Sequence, residues 1–232
     1  MTGAPEHVLA QTLSWLPPAE RTAFLLAPGA TRVPVTRALD PVWLDEQVAG
    51  SARVWHTDDR RALATIWWYA VSMWLQMPSL ASWLVTGVPL SPALPDLTLH
   101  RRGDLFEGAT STAVLAGPAE LATSLGVALD GVIGVLAEVG GVRPAPLWAV
   151  ASDSTANALL RIGTATGQVR RATELAVDLG RLVGPPLPVP VFIRAARSDT
   201  RVRRASCCLL HLAPGLPMCR SCPKLGPAGR LH

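Results

Sequence analysis

From Ala62 to Pro95 the chain carries no charged side chain. Such a run cannot lie along a wet surface, so it must form a buried core element, a packed loop or a membrane span. Periodicity and proline separate these choices. Leu63, Ile66, Trp67, Ala70, Val71, Trp74 and Leu75 recur at helical spacing, which predicts an α-helix over 62–77 ended by Pro78. That helix falls short of the ~20 apolar residues of a span, and Pro89, Pro92 and Pro95 interrupt the stretch beyond it. The expectation is a buried central helix with a packed loop and no transmembrane span. Hydrophobic residues make up 49% of the chain and charged residues only 16%. A large core is affordable, and the lean surface is compatible with a loose association with the inner face of the cytoplasmic membrane. Met1 to Leu13 lacks the basic and apolar regions of a secretory signal, which points to a cytoplasmic protein.

Around this segment the punctuation is mostly helical. Pro5 opens a helix closed by Pro17–Pro18, and Asp40–Pro41 is an N-cap followed by proline at N1, with Gly50 as its end. Thr57 is the expected cap of the charge-free helix, with Asp58 and Asp59 favourable to its dipole. Alternation in 96–100, the Gly103 turn, and short runs at 104–107 and 112–115 predict a small antiparallel sheet. Pro118 starts a helix that fails at Gly140–Gly141. Ser152–Asp153 opens another, and a third runs through Val169, Ala172, Leu175, Ala176, Leu179 and Leu182 to Gly184–Pro185. The prolines of 185–190 form a stiff extended link to the short apolar stretch 191–193. The fold class is therefore α+β, predominantly helical, with a small antiparallel sheet near the middle of the chain. Residues 1–190 form the main domain, and 191–232 form a short module too small for a core of its own, packed on that domain.

All the chemistry that can be read lies in that module. Cysteine is absent until Cys207; Cys207, Cys208, Cys219 and Cys222 then occur in the pattern C-C-x10-C-x2-C. The C-x2-C half lets two thiolates reach one metal, and four thiolates suit an iron–sulfur cluster or zinc. The adjacent pair fits the wider target of a cluster better than a single ion, although zinc and two disulfides remain open readings. The tail is basic: Arg194, Arg197, Arg201, Arg203, Arg204, Arg220, Lys224 and Arg230 face one acid, Asp199. This favours an anionic ligand or partner, or makes a solvated basic face. Few aromatics and no paired C-x2-C knuckles speak against nucleic acid. No G-x-G-x-x-G fingerprint or flavin site is evident, so any reducing equivalents come from outside the chain. Trp67, Trp68, Tyr69 and Trp74 have the spacing of a core face, or less commonly of a cleft wall.

The cysteine pattern, with Arg204 and Ser206 before the pair, Leu209 after it, Pro214–Gly215 in the loop and Pro223 after the last cysteine, resembles the C-terminal signature of the FhuF-like ferric-siderophore reductases. The match covers about twenty residues. The helices at 58–69 and 148–160 are similar in layout to the scaffold of actinobacterial members. The resemblance implies that Cys207, Cys208, Cys219 and Cys222 hold a [2Fe–2S] cluster. It also implies one-electron reduction of a ferric siderophore, Fe²⁺ release and an external electron donor such as a ferredoxin. A non-catalytic siderophore-binding or iron-sensing protein would use the same parts. On this reading Arg201, Arg203 and Arg204, beside the cysteines, and Arg101 and Arg102, on the predicted hairpin, are the candidate substrate contacts. His211 is placed to tune the cluster or to serve structurally.

Overall fold

A computed structural model describes residues 4–196, 199–215, 218 and 222–224. Helices α1 (Pro5–Trp15) and α2 (Pro18–Arg21) lead to strand β1 (Thr31–Pro34) and helices α3 (Pro41–Gly50) and α4 (Ala52–Trp55). The long α5 (Arg60–Thr86) is succeeded by strands β2 (Leu97–Arg102) and β3 (Leu105–Ser111). Then come α6 (Pro118–Gly140), α7 (Pro144–Ala165), α8 (Val169–Val183) and the hairpin β4 (Phe192–Ala196) and β5 (Asp199–Val202). The protein is α+β and mostly helical, with a three-stranded antiparallel sheet in the order β1-β2-β3.

The charge-free segment is the centre of the molecule. Helix α5 makes its most extensive contact with α7, and α1, α3 and α6 pack around it. The cap is Asp59 rather than Thr57. The Asp59 carboxylate accepts hydrogen bonds from the Arg61 and Ala62 backbones at 3.0 and 3.1 Å, while the Thr57 hydroxyl accepts from the Asp59 backbone. The helix also runs past Pro78 instead of stopping there. An interior proline costs about 3 kcal/mol, whereas burying a Leu or Met side chain gains about 1.5–3 kcal/mol. Met77 just before the proline, and Leu80 and Leu84 beyond it, are all fully buried, so burial outweighs the lost hydrogen bond.

Small polar residues let α5 and α7 approach closely and pair across the contact. The Ser72 and Ser154 hydroxyls meet at 2.7 Å, and the Gln76 side-chain amide donates to the Ala151 carbonyl at 3.2 Å. The Trp68 indole donates to the Leu147 carbonyl at 2.8 Å. Trp67 and Trp68 are therefore core residues. Helix α7 begins at Pro144, so Ser152 and Asp153 lie inside it instead of opening it. Proline at N1 supplies the start, and both residues are used from the middle of a buried helix. The Ser152 hydroxyl donates to the Pro188 carbonyl at 2.7 Å and ties down the proline link. Gly180 of α8 makes room for that link, because a Cβ there would lie 2.6 Å from the Pro190 ring.

By length and composition, α6 is the one helix among the described residues apolar enough to cross a membrane. Its stripe of Leu121, Leu125, Leu129, Val132, Ile133 and Leu136 is buried, and the helix packs on α3, α5, α7 and α8. This is the packing of a core helix.

In the sheet, β2 and β3 form the predicted hairpin about Gly103. The third strand is Thr31–Pro34, not 112–115, which contributes only an isolated bridge between Leu90 and Val114. Four residues containing a proline are a weak strand signal, tolerated here because β1 is an edge strand. His100 on β2 is buried opposite Gly108, where a Cβ would stand 2.4 Å from the Ala23 carbonyl oxygen. Burial holds the His100 imidazole below its ordinary value, against the pull of the Leu25 backbone. Below about pH 6.5 the unfolded chain binds a proton that the folded chain refuses, so stability falls on acidification through that window. Urea midpoints at pH 7.0 and 5.5 should show this loss, and His100→Gln should flatten it.

Candidate functional site

The C-terminal module is anchored by one buried carboxylate. After β5 the Arg203 backbone N–H donates to the Val191 carbonyl at 2.7 Å, and the chain then turns in against α7. There Asp153 accepts from the Ala205 and Ser206 backbones at 3.0 and 3.5 Å and from the Arg204 guanidinium at 3.3 Å. Both side chains of the ion pair are almost completely buried, at 1% exposure for Arg204 and 3% for Asp153. Desolvation pushes the Asp153 carboxyl above its ordinary value, while the Ala205 N–H and the Arg204 charge pull it down.

Arg204 has two further roles. Its guanidinium lies 4.6 Å over the Tyr69 ring, a cation–π contact reaching into α5. It also donates to the Cys208 sulfur at 3.3 Å. As a substrate contact Arg204 is thus a correction: it is an internal brace, out of reach of a ligand in solvent. The expected basic face loses its central member because an arginine in a short module can reach a buried carboxylate that sequence does not place nearby.

The cysteines divide by environment. Cys208 and Cys222 are buried, and Cys207 is half-buried. The Cys207 and Cys222 sulfurs are 4.0 Å apart. Two sulfurs each ~2.3 Å from one tetrahedral metal lie about 3.8 Å from each other, so this spacing suits a shared ion. Burial pushes the Cys207 thiol above its ordinary range, the Leu209 N–H opposes this, and Cys222 and Cys208 add to the upward push. Gathered thiols of this kind are deprotonated when a cation binds among them. His211 places Nδ1 3.6 Å from the Cys207 sulfur and Nε2 3.1 Å from the Lys224 amine. Leu209 has φ 61°, which turns the backbone sharply after the cysteine pair. Cys219 lies outside the described residues. Among the described residues no three His, Cys, Asp or Glu side chains gather into a metal-holding group.

The other predicted residues are dispersed. Arg101 pairs with Asp104 at 3.4 Å, and Arg102 pairs with Glu107 at 3.1 Å, both within the β2–β3 hairpin. Arg101 also lines a small cavity with Arg53, Trp67 and Phe106, separate from the cysteines. Arg201 is half-buried on β5, and Arg203 is exposed. Trp74 donates to the Phe106 carbonyl at 2.9 Å and packs under Arg161, so it joins the core edge rather than a cleft.

Sequence reasoning missed the cavity beside the module. A pocket of about 560 Å³ opens between the start of α5, the α6–α7 connection and the cysteine loop. Its walls include Arg61, Thr65, Arg143, Ser206 and Cys207. The usable signal was Arg61 itself. A cation in the first turn of a helix opposes the macrodipole, and such a local violation marks a position selected for something other than helix stability. Comparison of the chain with family models, curated proteins and solved structures finds no match.

Proposed function

We propose that the protein is a one-electron ferric-chelate reductase that reduces a ferric siderophore and releases Fe²⁺, with Cys207, Cys208, Cys219 and Cys222 as ligands of a [2Fe–2S] cluster. The observation that carries this reading is the approach of the Cys207 and Cys222 sulfurs, fifteen positions apart in sequence, to 4.0 Å beside a cavity. The resemblance of the cysteine pattern to the FhuF-like reductases supplies the cluster type. When bound, a [2Fe–2S] cluster supplies a one-electron centre at thiolate sulfur, tuned by hydrogen bonds, charge and exposure.

The chain's own residues do the rest. Cys208 and Cys222 lie buried, which keeps water from their sulfurs, while half-buried Cys207 lines the cavity. The Arg204 guanidinium, donating to the Cys208 sulfur, withdraws charge from it and so favours the reduced state. Asp153 holds that guanidinium and the Ala205 and Ser206 backbones in place. The substrate is Fe³⁺ held by hard oxygen donors. It takes one electron and dissociates as Fe²⁺, which those donors bind less tightly. An external one-electron donor, a ferredoxin or a small reductant, makes up the balance. The reading places the protein in the cytoplasm, with residues 191–232 as the redox module on the 1–190 scaffold.

The test is direct. Anaerobically purified protein should carry iron and sulfide in equal amounts, absorb in the visible and bleach with dithionite. The reduced protein mixed with a ferric siderophore should deliver Fe²⁺ to a trapping dye. A colourless protein with stoichiometric zinc would sink the reading. The closeness of His211 Nδ1 to Cys207 makes a Cys/His zinc site the specific alternative. A coloured protein that never yields Fe²⁺ would leave a binding or sensing role.

A further inference from the structure

The cavity against Cys207 has a chemistry of its own. Its cationic groups come from two separate parts of the fold: Arg61 from the first turn of α5, and Arg143 from the residue that precedes α7. Among the described residues no carboxylate lines it. The contrast with Arg60, one position earlier, is informative. Arg60 is tied to the Asp45 carboxylate and donates to the Val139 carbonyl at 2.8 Å, so it staples α5 to its neighbours. Among the described residues neither Arg61 nor Arg143 has a carboxylate within ion-pair distance, and both are exposed. The backbone offers little in their place. Pro144 and Pro146 remove two of the N–H groups that the start of α7 would otherwise aim outward, so an anion there is met mainly by side chains. Ser206 adds a hydroxyl on the side of the cysteine loop.

We infer that this cavity binds an anionic, oxygen-donor metal chelate through Arg61 and Arg143 and discriminates against a neutral one; the metal part of this inference rests on the proposed reductase reading. A volume of about 560 Å³ lies within the range of small-molecule sites. Guanidinium forks match carboxylate and catecholate oxygens two at a time and repay their desolvation only when the ligand is charged. Fe³⁺ held by three hydroxamates is neutral overall and offers them no net charge, whereas three catecholates leave a trianion. The recessed shape favours a compact chelate over the face of an acidic donor protein. With Cys207 in the same wall, a chelate seated on the arginines shares the cavity with one of the proposed cluster ligands.

The test uses gallium(III), which matches Fe³⁺ in charge and does not accept an electron, so binding is read apart from turnover. Calorimetric titration of the full chain with trianionic gallium tris-catecholate should show binding that weakens as salt rises. Arg61→Gln/Arg143→Gln should weaken it on the order of 30-fold, and the corresponding double lysine variant should fall between. Neutral gallium tris-hydroxamate should bind the parent at least about tenfold more weakly than the trianion. Arg181→Gln, on α8 and outside the cavity wall, should change nothing. Equal affinity of the double glutamine variant and the parent overturns the inference, as does equal affinity for the neutral chelate. So does a double variant that binds the trianion normally but is reduced more slowly by an acidic donor protein. The two readings fail separately. A protein without iron that still shows arginine-dependent gallium binding keeps the pocket and loses the reductase; a working reductase indifferent to both arginines does the reverse.

Discussion

Asp153→Ala is expected to destabilise the protein by about 3–5 kcal/mol, the cost of leaving a buried charge without its partner. The loss has two parts. The Arg204 guanidinium, 1% exposed, loses its counter-charge, and the Ala205 and Ser206 N–H groups lose their acceptor. A drop in the urea midpoint, with the visible absorbance expected of the proposed cluster lost well before the helical signal, would match an anchor that fails locally first. The companion variant Asp153→Leu/Arg204→Met separates charge from packing. An apolar pair of similar bulk should recover most of the stability, because burying two charges gains little over burying none. It should not restore the redox behaviour proposed for the module, since the donor to Cys208 is gone. A midpoint unchanged in Asp153→Ala would mean that the module does not depend on α7.

If the proposed cluster reading holds, Cys222→Ser should abolish bound iron while leaving the helical circular dichroism near that of the parent. Cys222 is 1% exposed and its sulfur approaches Cys207, so on the proposed cluster reading the substitution removes one of the four ligands. The helices that make up the body draw their stability from the core around α5, in which Cys222 has no part. The expected measurements are an iron content near zero, no visible absorbance and a far-ultraviolet spectrum little changed. Cys219→Ser should behave alike. If Cys222→Ser unfolds the whole chain, the module holds up the fold rather than resting on it. If it keeps full iron, Cys222 is no ligand.

Elements with strong local physics were legible in the sequence. The Asp40–Pro41 start, the Gly140–Gly141 stop and the 3.6 period of α5 each depend on neighbours in the chain, and each stands where expected. The errors cluster where distant residues decide. Helix α5 crosses Pro78 because its far half is buried. Strand β1 exists only because β2 offers it an edge. Asp153 reads locally as a helix opener, yet it sits mid-helix because its charge is answered by Arg204, 51 positions away.

The same division holds for the candidate site. Sequence alone determined that the thiols cluster in one short module after a helical body, since spacing along the chain sets which sulfurs can share a metal. It also determined that most of 62–95 must be buried, because nothing in that run can be solvated as a charge. Tertiary structure alone decided which arginines face the cavity. Arg204, beside the cysteines in sequence, was drawn inward by Asp153, while Arg61 and Arg143, far away in sequence, were brought to the cavity wall. A long cationic side chain goes to whichever partner the fold places within its reach, and that partner is a property of packing, not of neighbouring letters.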